Sequence, residues 1–135
     1  MFTWWNGDNG GGPVRERDFQ GWIIEVAERY SWKVWHVGMP ARQVGGGRLV
    51  PEPKGRGLPD LIMLHEDPPR LIFAEVKNET GRLSVEQKEF LRLARDVAEW
   101  SFNHGEGYVN ERNIGVYSWR PGQEPLIEAT LRVTA

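Results

Sequence analysis

The spacing of hydrophobic residues switches between helical and strand-like along the first half of the chain. From 14 to 30 the apolar residues recur at helical spacing and form one stripe, which predicts an amphipathic helix. The stretch 32–37 alternates apolar and polar residues and is rich in strand-forming types, so it predicts a strand. Two short apolar runs, 59–64 and 71–77, predict two further strands joined by the turn residues "HEDPPR".

A second helix is predicted from about Val85, because the residues around it form a capping box. Ser84 suits the N-cap position and Gln87 the third helical position, where each side chain can bond the other's backbone N–H. "IGVYSW" (114–119) predicts another strand, and 124–133 predicts a short helix or strand. The predicted fold class is α/β, in the order α-β-β-β-α-β plus a C-terminal element, with a central mixed sheet flanked by helices. The buried stripe expected on the second helix consists of Phe90, Leu91, Ala94, Val97 and Ala98.

The segments between these elements are rich in glycine. Residues 1–13 carry two adjacent tryptophans among many glycines and are interpreted as an N-terminal arm, which leaves 14–135 as a single domain. The stretch 38–57 has six glycines and three prolines and predicts a long loop. "NHGEGYVNERN" (103–113) predicts a second loop. Long loops in compact domains are often functional, so both are expected to shape access to a site.

The composition excludes several classes of protein. The chain has 135 residues, of which 39% are hydrophobic and 27% charged, as in an ordinary soluble globular domain. Its net charge of −2 does not mark a nucleic-acid binder, so such a role would rest on local charge. The absence of cysteine excludes disulfides and thiolate zinc sites. No apolar run approaches the roughly 20 residues of a membrane span, and "GGG" at 45–47 lacks the rest of a phosphate loop, so neither a membrane nor a nucleotide cofactor is expected.

Three charged residues interrupt the two central apolar runs: Asp60 heads the first, and Glu75 and Lys77 lie near the end of the second. Because side chains alternate between the faces of a strand, Glu75 and Lys77 share a face, roughly 7 Å apart. A hairpin turn centred between Asp67 and Pro68 places Asp60 directly opposite Glu75, with about 5 Å between their Cβ atoms. The sequence therefore brings two carboxylates and one ammonium group to one end of the hairpin.

This group of charges fits a metal site. Two facing carboxylates repel each other, and a divalent cation between them relieves the repulsion. Oxygen ligands suit Mg²⁺ or Mn²⁺, and Lys77 beside them can orient a water molecule or contact a phosphate, which indicates metal-assisted phosphodiester hydrolysis. The plainer interpretation is that Asp60 caps a strand start while Glu75 and Lys77 form an exposed pair on an edge strand. The combination of Pro-Asp, Glu-x-Lys and matched strand lengths favours the metal site.

The same residues belong to a longer motif, "GLPDLIML…RLIFAEVKNETGRLSVEQKEFL", which resembles the VRR-NUC branch of the PD-(D/E)XK nuclease superfamily. Those domains show a glycine before Pro-Asp, an apolar strand, Glu-x-Lys, and Gly-x-Leu-Ser-x-x-Gln opening a helix. The upstream "ERDFQGWIIEVAERYSWKVWHV" resembles the first helix and strand of the family, and "VYSWRP" its last core strand, so the resemblance covers most of 15–121. The matching motif residues here are Gly57, Pro59, Asp60, Glu75, Lys77, Gly81, Leu83, Ser84 and Gln87.

The resemblance implies a restriction-endonuclease-like core and an Mg²⁺- or Mn²⁺-dependent endodeoxyribonuclease. In that family the Pro-Asp aspartate and the Glu-x-Lys glutamate hold the metal, and these positions are Asp60 and Glu75. The residue after the glutamate lends its backbone carbonyl to the metal, which here is Val76. The motif lysine, which serves the attacking water, is Lys77.

Two further site residues are less firmly placed by the pattern. A first-helix glutamate often completes the acidic cluster of the family, and Glu16 in "ERDFQ" fits that position, with Asp18 and Glu25 as weaker candidates. Gln87 has two interpretations. It is either the capping partner of Ser84 or a catalytic residue pointing inward from the helix, and the pattern leaves both open.

DNA contacts are expected from basic residues near the site. The stretch 42–57 carries four basic residues against one acidic residue. A flexible basic segment beside a metal site raises local affinity for a polyanion, although a merely solvated loop explains the same charges. Two more basic residues flank the start of the second helix, where an anion is also favoured. The expected DNA-binding residues are Arg42, Arg48, Lys54, Arg56, Arg82 and Lys88.

The resemblance also suggests a biological setting. Phage and bacterial VRR-NUC proteins indicate roles in recombination or DNA processing, including cleavage of branched, junction-like DNA, and hence a cytoplasmic protein of a bacterium or phage-infected cell. A homodimer is expected because one site cuts one strand of a two-stranded substrate. The main alternative is a catalytically silent nucleic-acid-binding module on the same fold, and the intact set of Asp60, Glu75 and Lys77 argues against it.

Overall fold

The computed structural model of the protein describes residues 15–37, 41–43, 49–51, 57–104 and 113–132. These residues form three helices and six strands. In chain order the elements are α1 (Glu16–Arg29), β1 (Lys33–His36), β2 (Ala41–Gln43), β3 (Leu49–Pro51), β4 (Leu61–His65), β5 (Arg70–Val76), α2 (Val85–His104), β6 (Ile114–Trp119) and α3 (Glu124–Leu131).

Four of the strands form a mixed sheet in the order β1-β4-β5-β6. The first three pair as antiparallel neighbours, whereas β5 and β6 are parallel. A parallel pair needs a long crossover connection, and α2 supplies it between these two strands. The prediction of an α/β fold with a central mixed sheet and flanking helices is therefore confirmed. The segment 124–133, which the pattern left open between helix and strand, contains the helix α3 (Glu124–Leu131), with a proline in its first turn.

The long loop predicted over 38–57 contains a short antiparallel strand pair. In this pair β2 runs beside β3, with Arg42 opposite Val50. The prediction is wrong here because each strand has three residues, too few to show a periodic pattern among the surrounding glycines and prolines. Most of the rest of that loop lies outside the described residues, as do the arm predicted over 1–13 and most of the loop predicted over 103–113.

One face of the sheet, closed by α1 and α3, carries the hydrophobic core. On β5 the alternate residues Ile72, Ala74 and Val76 lie on this face and are buried. The indole N–H of Trp32 donates a 2.8 Å hydrogen bond to the carbonyl oxygen of Leu131, which joins the start of β1 to the end of α3. Fully burying a large apolar side chain contributes about 1.5–3 kcal/mol, so this face supplies most of the stabilising burial. The core comprises Phe19, Ile23, Val26, Ala27, Trp32, Leu61, Met63, Ile72, Ala74, Val76, Trp119, Ile127 and Leu131.

The opposite face is covered in part by α2, which begins at Val85 as predicted. The ring of Phe90 meets the ring of Phe73 on β5 edge-on, with 5.5 Å between centroids, and Leu91 is buried. The prediction that Val97 belongs to the buried stripe is wrong, because its side chain is 60% exposed. Leu93 and Trp100, about one turn to either side of Val97 on α2, are exposed as well. Among the described residues, no helix combines the length and the apolar character needed to cross a membrane.

Candidate active site

The β4–β5 hairpin has the register predicted from the sequence. Leu61 pairs with Ala74, and the ladder continues from there to the turn. One further step in this register sets Asp60 opposite Glu75. The carboxylate of Asp60 also reaches across to the end of β5, where Oδ2 accepts a 2.9 Å hydrogen bond from the backbone N–H of Val76. The two ends of the hairpin are therefore joined directly at the predicted site.

The backbone around Asp60 is held on both sides. Its carbonyl oxygen accepts a 2.7 Å hydrogen bond from the backbone N–H of Val37, just beyond β1. The preceding Pro59 is fully buried, and its ring fixes its own backbone φ angle. These contacts set the direction in which the Asp60 side chain leaves the chain, before any ligand is considered.

The side chain of Glu75 is buried, with 1% of its surface exposed, and two neighbours contact the same oxygen. Oε1 accepts a 2.8 Å hydrogen bond from Nε2 of Gln87 and lies 3.3 Å from Nζ of Lys77. The side chain of Lys77 is itself only 15% exposed. Burying a carboxylate is costly unless it is paired and hydrogen-bonded, and these two partners offset that cost. The prediction that Glu75 and Lys77 share a face is confirmed.

The interpretation of Glu75 and Lys77 as an exposed pair on an edge strand is wrong. Both side chains are largely buried, and β5 is an internal strand with β4 on one side and β6 on the other. Exposed ion pairs contribute little to stability because water screens them, and they need no particular surroundings. This pair instead lies buried between the sheet and the first turn of α2.

Gln87 is the capping partner of Ser84 and also points inward to Glu75, while a catalytic role for it stays a prediction. Its side-chain oxygen accepts a 2.8 Å hydrogen bond from the backbone N–H of Ser84, and its own backbone N–H donates one of 3.1 Å to the Ser84 hydroxyl. These two bonds form the predicted capping box. The side-chain nitrogen of the same amide donates to Glu75. One side chain therefore couples the start of α2 to the buried carboxylate.

Sequence reasoning missed the contacts that hold the segment after β5. The side-chain oxygen of Asn78 accepts backbone hydrogen bonds within the following turn, including one of 2.6 Å from Gly81. The guanidinium of Arg120 donates a 2.8 Å hydrogen bond to the Asn78 carbonyl oxygen, and the backbone N–H of Lys77 donates to Trp119. The turn has a readable signal, since "NETG" is typical of a turn closed by an asparagine side chain. The role of Arg120 has none, because the contact joins segments 42 residues apart.

Val76, the residue predicted to lend its backbone carbonyl to a metal, belongs to the same end of β5 as Glu75. Val76 lies between Glu75 and Lys77, with its side chain buried in the core and its N–H bonded to Asp60. Within the described ranges, no group of three or more His, Asp or Glu side chains is placed to hold a metal ion. The carboxylates brought to the site are therefore two, and backbone oxygens and water would complete the coordination of a cation here.

The acidic residues of α1 differ in their surroundings. Glu16 is the first residue of the helix and is half-buried, and its role in the site stays a prediction. The weaker candidates form ion pairs on the helix surface. The Asp18 carboxylate lies 3.7 Å from the Arg15 guanidinium, and the Glu25 carboxylate lies 3.7 Å from the Arg29 guanidinium. Pairs at this spacing stabilise a helix slightly, and this explains both residues without a role in the site.

Two of the predicted DNA-binding residues are described in full. Arg82 and Lys88 are exposed and flank the start of α2, next to the helix turn that carries Gln87. The backbone of Arg42 lies in β2 but its side chain falls outside the description. The remaining predicted residues, Arg48, Lys54 and Arg56, also lie outside the described residues.

The described site thus combines two carboxylates, an ammonium group and an amide at one end of the central sheet. Carboxylate oxygens are the ligands preferred by Mg²⁺ and Mn²⁺, and an ammonium group is a suitable point contact for a phosphate. Comparisons of the chain with models of known protein families, with curated proteins and with solved structures found no match.

Proposed function

We propose that this protein is a divalent-metal-dependent DNA endonuclease that hydrolyses phosphodiester bonds. The observation that supports the proposal is the grouping of Asp60, Glu75 and Lys77: the Glu75 carboxylate and the Lys77 ammonium group are buried together 3.3 Å apart, and the Asp60 carboxylate is bonded to the backbone of Val76, the residue between them. Buried charges are weak contributors to stability compared with apolar side chains of similar size. A chemical role accounts for this group better than a structural one.

The proposal extends to the fold. The order α1, β1, β4, β5, α2, β6 is the order expected for a restriction-endonuclease-like core, with the β2–β3 pair as an insertion. The motif from Gly57 to Gln87 favours the VRR-NUC branch of the PD-(D/E)XK superfamily, because its residues include those that contact one another at the site.

Mg²⁺ or Mn²⁺ is the proposed cofactor. The carboxylates of Asp60 and Glu75 and the backbone carbonyl of Val76 are the proposed ligands, and their oxygen atoms match the preference of these ions. Glu16, at the start of α1, is the proposed additional acidic ligand. When bound, the ion would stabilise negative charge on the phosphate and increase the acidity of a nearby water molecule.

The remaining steps are assigned to the side chains of the chain itself. Lys77, whose ammonium group lies 3.3 Å from the Glu75 carboxylate, orients the attacking water or neutralises the phosphate. Gln87 holds the Glu75 carboxylate in one orientation through its 2.8 Å hydrogen bond. Arg82 and Lys88, exposed beside the α2 start, bind the phosphates on either side of the cleaved bond. The other proposed DNA-binding residues are Arg42, Arg48, Lys54 and Arg56.

The proposed substrate is structured or branched DNA, cut by a homodimer with one site for each strand, in the cytoplasm of a bacterium or phage-infected cell.

The experiment that tests the function incubates the purified protein with duplex, single-stranded and branched DNA, with and without Mg²⁺ or Mn²⁺. We expect cleavage that requires the metal. Asp60→Asn and Lys77→Ala should each abolish it, since they remove a proposed ligand and the proposed water-orienting cation.

Matched substitutions away from the site serve as controls. Asp96→Asn removes an exposed aspartate that lies 3.3 Å from Arg92 on the outer surface of α2, and Lys33→Ala removes an exposed lysine of β1. Both variants should cleave like the unmodified protein. Cleavage that survives Asp60→Asn and Lys77→Ala, or no metal-dependent cleavage of any DNA, contradicts the nuclease function. Metal-independent DNA binding without cleavage would instead support the silent binding module.

A further inference from the structure

We infer that Gly57 is a positioning residue of this site. It allows the segment leading to Asp60 to pass close to the first turn of α2, and this keeps the Gln87 side-chain amide hydrogen-bonded to the Glu75 carboxylate. The inference rests on the proposed function, since it assigns Gly57 to the same site.

The backbone of Gly57 lies in a conformation and a space that only glycine accommodates. Its φ angle is +82°, in the left-handed region that glycine adopts without strain. A Cβ atom added there would overlap the carbonyl oxygen of Glu86, and it would lie 2.6 Å from the Glu86 carbonyl carbon and 3.2 Å from the backbone nitrogen of Gln87. These are backbone atoms of a helical turn, so no rotamer change can make room.

The other end of the segment 57–60 is held in place by the sheet. Pro59 is fully buried, and Asp60 is bonded through its carbonyl to Val37 and through its carboxylate to Val76. These bonds fix the segment to two strands of the sheet. A side chain at Gly57 would therefore push against the first turn of α2.

Displacement of that turn acts on the site through one hydrogen bond. Gln87 lies in the turn, and its Nε2 donates to Oε1 of Glu75 over 2.8 Å. Hydrogen bonds weaken steeply once distance and angle depart from their optimum, so a shift of about 0.5 Å is enough to misplace the group. Glu75 would keep Lys77 as a neighbour but would lose the amide that fixes the orientation of its carboxylate.

The chain contains a matched control for the strain at Gly57. Gly122 also has a positive φ angle, +99°, but apart from Gly122 and its two chain neighbours no residue has an atom within 4 Å of a Cβ added to it. Alanine at either position therefore suffers an unfavourable backbone conformation, whereas only alanine at Gly57 meets α2. The difference between the two variants isolates the contact with the helix.

The test compares Gly57→Ala, Gly122→Ala, Gln87→Ala and the double variant Gly57→Ala/Gln87→Ala in the full chain. Two quantities are measured: the kcat and KM of Mg²⁺-dependent DNA cleavage, and the NMR resonances of the Gln87 side-chain amide. For Gly57→Ala we expect about a 10–100-fold loss in kcat with KM little changed, as for other groups that orient a metal ligand. The Gln87 amide resonances should move toward their solvent-exposed positions. The double variant should be no slower than the slower single variant, because both changes break the same bond.

The expected result for Gly122→Ala is a lower melting temperature with unchanged kcat and unchanged Gln87 resonances. If Gly57→Ala behaves in the same way, or if the losses of the double variant multiply, the positioning role is overturned. Should Gly57→Ala fail to fold, Gly57→Asn takes its place, since asparagine tolerates a positive φ better but still carries the Cβ atom. If the unmodified protein cleaves no DNA, the nuclease proposal fails, while the amide resonances still test the contact between Gly57 and α2.

Discussion

The two faces of the central sheet are used in different ways. On β5, Ile72, Ala74 and Val76 lie on the face closed by α1 and α3, where the packing is apolar and buried. The alternate residues on the same strand include Phe73 and Glu75, and they lie on the face that α2 covers only in part. Large apolar side chains are exposed on this side of the molecule, including Trp35 of β1 (51% exposed) and Val97 of α2 itself (60% exposed).

The difference shows how one strand can serve stability and a candidate site at once. Because strand side chains alternate between faces, a residue such as Glu75 can be changed while both of its neighbours continue to fill the core. The closed face should therefore determine the free energy of unfolding, and the partly covered face should determine activity. Substitutions chosen in pairs across the sheet test this separation.

The largest effect is expected from Phe19→Ala on the closed face. The ring of Phe19 is fully buried and stacks on Trp22 with 6.1 Å between centroids, so its loss leaves a cavity. We expect the free energy of unfolding to fall by about 3–5 kcal/mol, measured by urea denaturation followed by circular dichroism. The matched change on the other face, Val97→Ala, should alter it by no more than about 0.5 kcal/mol. Similar losses for both variants would contradict the division between the faces.

A smaller effect in free energy, but a decisive one for activity, is expected from Glu75→Gln. The substitution keeps the shape of the side chain but removes the negative charge that pairs with Lys77 and would bind a cation. Cleavage should fall by more than about 100-fold, since even partners that only orient a metal ligand are worth about 10–100-fold. The matching change on the opposite face of β5 is Ile72→Val. It should lower the free energy of unfolding by about 0.5–1.5 kcal/mol and leave kcat unchanged. Loss of cleavage in Ile72→Val with its fold intact would show that the faces are not separable.

The smallest effect concerns Tyr117, on the closed face of β6. Burial raises the pKa of its hydroxyl above the ordinary value of 10.0, and the nearby charge of Arg70 opposes this only in part. A raised pKa in the folded state means that the unfolded chain loses its proton first as pH rises. This contribution to stability is therefore complete below pH 10 and is lost as pH rises through the higher pKa of the folded state. Urea denaturation above pH 10 should show a weaker decline for Tyr117→Phe, and identical profiles for the two proteins would contradict this assignment.

The elements near the site could be predicted because their signals are local. The register of the β4–β5 hairpin follows from strand alternation and a turn of fixed length, and the α2 start follows from the Ser84–Gln87 capping box. In both cases the residues that decide the structure are close together in the sequence. The same reasoning could not find Arg120, whose hydrogen bond to Asn78 depends on how β6 pairs with β5.

The errors have physical reasons of the same kind. Val97 has the spacing of a buried residue, but spacing along a helix does not show which of its apolar residues another segment covers, and Val97 is exposed together with Leu93 and Trp100. The strands β2 and β3 are too short to produce a pattern of their own. The contact of Gly57 with the α2 backbone is a matter of close approach between two segments, which neither spacing nor composition records.

The parallel pairing of β5 and β6 has a consequence for the order of folding. The backbone of Lys77 is bonded to Trp119, and Asn78 is bonded to Arg120 across 42 residues of chain. Contacts between distant segments form slowly, because the entropy of closing a long loop is lost before the contact is gained. A chain folded only as far as α2 contains both carboxylates and the capping glutamine, but not the strand that fixes the lysine. The backbone of Lys77 therefore gains its hydrogen-bond partner only when β6 joins the sheet.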